Sequence, residues 1–177
     1  MMINFVRFNI YLCCAIGVLL FAGCQTPEKK KQKEKDKEAA TIELHMEVNT
    51  DGTPGNEPVS IGRDGLFQVN VDKTPFVNSA DLVDAKVVEE AGGFVIECKF
   101  DWTGSTLLES MTSANLGKRI AVFCKFGKDR WLAAPVIKKR ISDGVFRFTP
   151  DATREEADRI VRGLNNMTKK LKKDDTL

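Results

Sequence analysis

The chain has 177 residues, 27 Lys and Arg against 25 Asp and Glu, a net charge of +2 and a single histidine. With a leader set aside, that length holds one ordinary domain with a proper core and excludes a second large one. So even a charge balance excludes the global positive field of a nucleic-acid binder, and one histidine leaves no material for a multi-histidine metal site.

At the N-terminus, Arg7 is followed by an apolar run from Ile10 to Ala22. The run has the length of a signal-peptide core and falls short of the roughly 20 residues that a spanning helix needs. It closes on Leu20-Phe21-Ala22-Gly23-Cys24. Two small residues directly before a cysteine are the arrangement of bacterial lipobox sequences, in which the thiol takes a diacylglyceryl group and the leader is cut before it. Residues 1–23 therefore read as a lipoprotein signal peptide and Cys24 as the lipid attachment. Each buried methylene contributes about 0.8 kcal/mol, so two or three acyl chains hold the protein to the membrane. The expected location is the cell envelope, lipid-anchored on the periplasmic side. Gln25 rather than Asp after the cysteine points to the outer membrane of a Gram-negative cell. Residues 24–40 follow as a lysine-rich tether. From Glu28 to Glu38 lysines alternate with acids and almost nothing apolar is available for burial, so a solvated, disordered segment is expected rather than a patch adhering to lipid headgroups.

Residues 41–73 read as a β extension. Thr41 to Val48 alternates apolar with polar side chains, the pattern of a half-buried strand, and Asn49 to Pro58 breaks it with a dense set of turn residues. Two short strands, Val59 to Gly62 and Phe67 to Val71, flank the Arg63-Asp64-Gly65 turn. His45, in the first strand, reads as a structural or surface residue.

Residues 74–172 carry the regular part, with 173–177 as a tail. Ser79 to Leu82 suggests one helical turn, Val83 to Glu89 a strand, and Gly92-Gly93 the turn into a strand with Phe94, Ile96, Cys98 and Phe100 on one face. Thr106 and Glu109 have capping-box spacing ahead of a stripe of Leu107, Leu108, Met111 and Ala114, with a start nearer Thr103 as the alternative; Gly117 ends the helix. Ile120 to Phe126 is the next strand, and its sequence position after the helix suggests a crossover, right-handed if the two strands are parallel. Gly127 to Arg130 turns into a strand from Trp131 to Lys139, with Pro135 at a bulge or sheet edge, and Asp143-Gly144 turns into Val145 to Phe148. The last helix is capped by Thr153 with Glu156 three positions on, and repeats Ala157, Ile160, Val161, Leu164, Met167 and Leu171 at helical spacing. The expected fold is α+β: a small mixed sheet with two helices packed on one face, in the order β-α-β-β-β-α, preceded by the β extension.

Several motifs then occur in a telling order: Asn78-Ser79-Ala80-Asp81-Leu82-Val83-Asp84-Ala85, Phe100-Asp101 leading into the helix, Ala114 to Val122, Ala133-Ala134-Pro135-Val136-Ile137, and Thr153-Arg154-Glu155-Glu156-Ala157. From Pro75 to about Asn165 the chain resembles the head subdomain of the first periplasmic region of SecD, the accessory subunit of the bacterial Sec export machinery. In that family the head sits on a multi-helix, proton-driven membrane protein, and its movement helps to draw an emerging polypeptide outward. The resemblance implies the fold and a binding role. It does not imply proton coupling, because nothing after Cys24 offers a second apolar run of membrane length.

The residues offer little chemistry beside this. No Gly-rich phosphate loop is present, and Asp81, Asp84 and Asp101 sit at element boundaries where Asp caps or turns the chain. The expectation is a non-enzymatic protein with no metal and no cofactor beyond the lipid on Cys24. Cys98 and Cys124 should share one buried face; they read as small apolar residues, with a disulfide as the alternative. Trp131, Lys128 and Lys139, together with Trp102 and the edge near Pro135, are candidates for contacting an extended peptide, with core packing as the commoner fate of each tryptophan. The partner classes implied are a membrane, through the anchor, and a protein or peptide, with no nucleic acid; the oligomeric state is left open. The main reading is an envelope binding module that contacts secreted polypeptides or an export complex. The other is a structural envelope lipoprotein with a dedicated partner unrelated to export.

Overall fold

The computed structural model describes residues 35, 37–50, 52–65 and 67–174. The signal peptide, Cys24 and most of the tether lie outside the described residues. Those described form strands β1 (Thr41–Met46), β2 (Asn56–Ile61), β3 (Phe67–Asp72), β4 (Val77–Asn78), β5 (Leu82–Glu90), β6 (Gly93–Phe100), β7 (Ile120–Phe126), β8 (Lys128–Ala133) and β9 (Val145–Phe148). Helix α1 (Trp102–Ala114) lies between β6 and β7, α2 (Arg154–Asp174) follows β9, and a 3-10 turn spans Ser79–Asp81. Among these residues no helix is long and apolar enough to cross a membrane.

The class is α+β, but the strands form three antiparallel sheets instead of one mixed sheet. One has the order β4-β1-β7-β8, one is the β2-β3 hairpin, and one has the order β5-β6-β9. The pair that sequence order offered for a crossover, β6 and β7, enters different sheets, because each takes an antiparallel partner from its own hairpin, β5 and β8 respectively. A hairpin needs only a tight turn, and here Gly92 and Gly127 supply one each with φ of 91° and 69°.

Strand β1, expected in an extension, lies inside the largest sheet. It pairs with β7 from Thr41↔Lys125 to Met46↔Ile120 and with β4 on its other side. Its alternation explains the placement: Ile42, Leu44 and Met46 enter the main core beside Ile120, Val122 and Cys124 of β7. Helices α1 and α2 add Leu108, Ile160 and Leu164 to that core, and β6 adds Ile96, Cys98 and Phe100.

The opposite face of β7 is also covered. Ala121 packs with Val59 and Ile61 of β2, Val69 and Val71 of β3, and Ala134, so the hairpin lies across the back of the four-stranded sheet. Backbone bonds from Val48 to Asn70 and from Gly62 to Trp131 tie its two ends down.

Two local expectations change. Asp101, not Thr106, caps α1 by accepting from the Gly104 N–H at 2.9 Å, and Thr106 instead donates to the Trp102 carbonyl. The cause is Gly104, where a Cβ would fall 2.8 Å from Asp81 Cβ and 2.9 Å from Phe100 Cβ, so the helix must begin where this glycine packs. The end of the tether is also docked. Ala40 is buried, and a Cβ at Gly163 of α2 would lie 2.8 Å from the Ala40 nitrogen. Glu38 accepts from Arg159 and Arg162; burial opposes its ionisation, yet the two guanidiniums outweigh that and hold the carboxyl below its ordinary value.

Candidate interaction surface

The three residues singled out for peptide contact do not line one site. Trp131 is half-buried on the hairpin side of the sheet, its ring 5.0 Å from His45 in an edge-on contact and 5.0 Å from Phe123. It packs against the second apolar cluster, which no sequence pattern could reveal without knowing that β2 and β3 cover this face. Lys128 is exposed at the start of β8 and borders an open cleft of about 1060 Å³ with Glu38, Arg130, Glu156 and Arg159. Lys139 is exposed on the irregular segment after β8 and borders a separate cavity of about 360 Å³. Trp102, at the first position of α1, stands 82% exposed.

The charges of the larger cleft are matched in part within the protein: its three arginines are paired, while Lys128, Asp129 and Glu155 also line it and make no ion pair among the described residues. Glu156 accepts from both Arg63 and Arg130, and Glu38 takes Arg159. Glu156 thus serves as a tie between the hairpin, β8 and α2 rather than closing the capping box; the cap itself keeps one half, with the Glu156 N–H donating to Thr153 Oγ1 at 3.2 Å.

His45 makes a similar tie. Because a carbonyl only accepts, its Nδ1 donates to the Asp72 carbonyl at 2.8 Å, joining β1 to the end of β3. Its Nε2 has no hydrogen-bond partner among the described residues, with the Glu43 carboxylate 3.6 Å away. Cys98 and Cys124 are free thiols in the main core. Burial pushes the Cys124 thiol up to about 12 and raises Cys98 further, with the neighbouring Cys124 adding to the effect, so neither is a ready thiolate. Among the described residues no group of three acidic, histidine or cysteine side chains converges as a metal site would require.

Sheet edges are a further kind of surface that can hold a polypeptide. At β5, Asn165 of α2 occupies the edge as a neighbouring strand would: its Oδ1 accepts from the Ala85 N–H at 2.9 Å and its Nδ2 donates to the Ala85 carbonyl at 2.8 Å. At β8, the edge near Pro135 that the sequence suggested, the Trp131 carbonyl accepts from Gly62 at 3.0 Å and the Leu132 carbonyl from Asp151 at 2.8 Å. Both edges are engaged at these positions. Asn165 and Asp151 carry no signal in the sequence for this duty, since it depends on which strand lies outermost.

Residues 57–166 match the family described as the SecDF P1 head subdomain, a span covering more than half of the chain and starting in β2 rather than at Pro75. Among solved structures, the chain is similar to a membrane component, SecDF, that enhances protein export: 19% identity, TM-score 0.56, covering 82% of this chain and 71% of that one. It is also similar to SecDF in a super-membrane-facing form, with 20% identity and a TM-score of 0.55. That match covers 81% of this chain and 21% of the other, so the chain spans about a fifth of that protein. No curated protein matches.

Proposed function

The chain belongs to the SecDF P1 head subdomain family, and from that premise we propose that it is a non-enzymatic binding module of the cell envelope that contacts secreted polypeptides. The family match over 57–166 carries the reading, together with the description of its structural relative as a component that enhances protein export. Lipid on Cys24 would supply the attachment to the membrane, on the periplasmic side, that a head otherwise receives from the protein it is mounted on. The side chains support binding over turnover: the arginines of the open cleft beside Lys128 are held by Glu38 and Glu156, and the two buried thiols are far from ionising.

Photocrosslinking in cells from probes placed at Lys128 and Lys139, read by mass spectrometry, tests this, with Cys24→Ala as a mislocalised control. Many unrelated secreted chains or Sec components among the adducts support an export role. One dominant partner with no link to secretion would replace it with the dedicated structural role.

A further inference from the structure

The outer edge of β9 differs from those of β5 and β8. Phe100 donates to the Gly144 carbonyl at 2.9 Å, and the register Cys98↔Phe146 and Ile96↔Phe148 continues from it. In an antiparallel ladder such pairs alternate, so Val145 and Arg147 turn their backbone groups away from β6. The Val145 N–H is taken by the Asp143 carboxylate at 3.1 Å. Among the described residues nothing pairs with the Val145 carbonyl, the Arg147 N–H or the Arg147 carbonyl. The cavity of about 360 Å³ adjoins this edge, lined by Val145 and Arg147 on one side and by Ile137, Ile141, Lys138 and Lys139 on the other. Its far wall is already fixed, because Ile137 donates to Lys118 and Ile141 donates to Thr112 Oγ1. Arg140 and Arg147 are paired with Glu109 and Glu97, whereas Lys138 and Lys139 are exposed and make no ion pair among the described residues.

We infer that β9 takes up an extended, acidic polypeptide segment by strand addition. The segment's backbone pairs with Arg147 and the Val145 carbonyl, an apolar side chain enters the cavity, and an acidic one meets Lys138 and Lys139. Charge selects this occupant. The chain's own lysine-rich segment from Glu28 to Glu38 would bring lysines to lysines, and a second copy paired through β9 in the register centred on Arg147 would bring Arg147 against Arg147. The inference rests on the export reading only in taking the ligand to be an extended chain.

The probe is a short capped peptide alternating Glu and Val, titrated against the full-length protein in detergent, with hydrogen exchange followed across residues 143–149. Binding should slow exchange there. The Lys-Val counterpart should bind at least about tenfold more weakly, and Lys138→Glu with Lys139→Glu should reverse that preference. N-methylation of the peptide amides should abolish binding while leaving the protein untouched. Arg147→Pro removes an outward N–H without breaking the ladder to β6, and should weaken binding about tenfold relative to Arg147→Gln, which loses the same ion pair but keeps the donor. Equal binding of the N-methylated peptide, no difference between the two Arg147 variants, or a preference blind to charge reversal would each overturn the inference. Dimerisation through β9 would overturn it in favour of a second copy. Secreted chains crosslinked in cells but no Glu-Val binding at β9 leaves the export reading standing without this site; peptide binding at β9 with no secreted chains crosslinked leaves the site standing without that reading.

Discussion

The two faces of the four-stranded sheet are sealed by unequal means. On one side β1 and β7 meet both helices and β6 in a core that includes Leu44, Ile96, Leu108 and Leu164, each nearly or wholly inaccessible. On the other side only the β2-β3 hairpin covers the sheet, with Val59, Ile61, Val69 and Val71 over Ala121 and Trp131. The first side distributes its apolar burial over many elements. The second depends on a few side chains and on single ties such as Gly62 N–H to the Trp131 carbonyl at 3.0 Å. Stability should therefore be graded across the sheet, with the hairpin opening before the rest.

The largest expected effect tests the sealed side. Leu44→Ala should cost about 2–5 kcal/mol in denaturant unfolding, with every probe moving together, because the cavity it leaves has no loose neighbour to fill it. On the hairpin side, Ile61→Ala should cost about 2 kcal/mol, the low end for such a truncation, since β2 can settle toward the sheet. Amide exchange should rise first in β2 and β3. If Ile61→Ala instead costs as much as Leu44→Ala and opens the whole sheet, the two clusters are one cooperative unit.

How much of this was legible depends on range. The run Ile120 to Phe126 reads as a strand, and its Ile120, Val122 and Cys124 do enter the main core. The run is also apolar at Ala121 and Phe123, a sign of burial on both faces that alternation counting passes over. The placement of Trp131 is illegible for the same reason: period-2 patterning sorts residues into faces, while the cover over a face comes from a hairpin distant in the sequence. The cap of α1 shows the limit of local rules. Asp101, Thr103 and Thr106 each suit a helix start, and the choice follows from Gly104 packing against Asp81 and Phe100, a contact between elements. Strand order is less legible still, so neither the Asn165 clamp on β5 nor the open edge of β9 has any trace in the sequence.

A smaller effect isolates one tie of the hairpin. His45→Phe keeps a ring beside Trp131 but removes the bond to the Asp72 carbonyl, and should cost about 1 kcal/mol or less, because the unpartnered Nε2 goes with it. Exchange should quicken at the end of β3 and stay unchanged in β6. Faster exchange in β6 would mean that His45 supports the main core instead of the hairpin.

The three-stranded sheet handles its outer face in a third way, and pH separates it from the hairpin. Glu97 of β6 lies in register with Lys86 of β5 and Arg147 of β9, with its carboxylate 2.9 Å from the Lys86 nitrogen and 2.6 Å from the Arg147 guanidinium. The Lys86 bond, more than any other influence, holds the carboxyl below its ordinary value; burial opposes this and Arg147 reinforces it. A carboxyl lowered by folding contributes stability that is fully present above its ordinary value of 4.5 and is lost as pH falls through the lowered folded value. Wild type should therefore exceed Glu97→Gln by a constant margin above that pH, and the margin should shrink toward zero in more acid solution. Lys86 and Arg147 are more than half exposed, so water screens the ladder and the margin should stay under about 1 kcal/mol. Exchange in β2 and β3 should not follow the same titration. If it does, the hairpin and the ion ladder share one opening, and the sheet's outer face is coupled to the apolar cover on its neighbour.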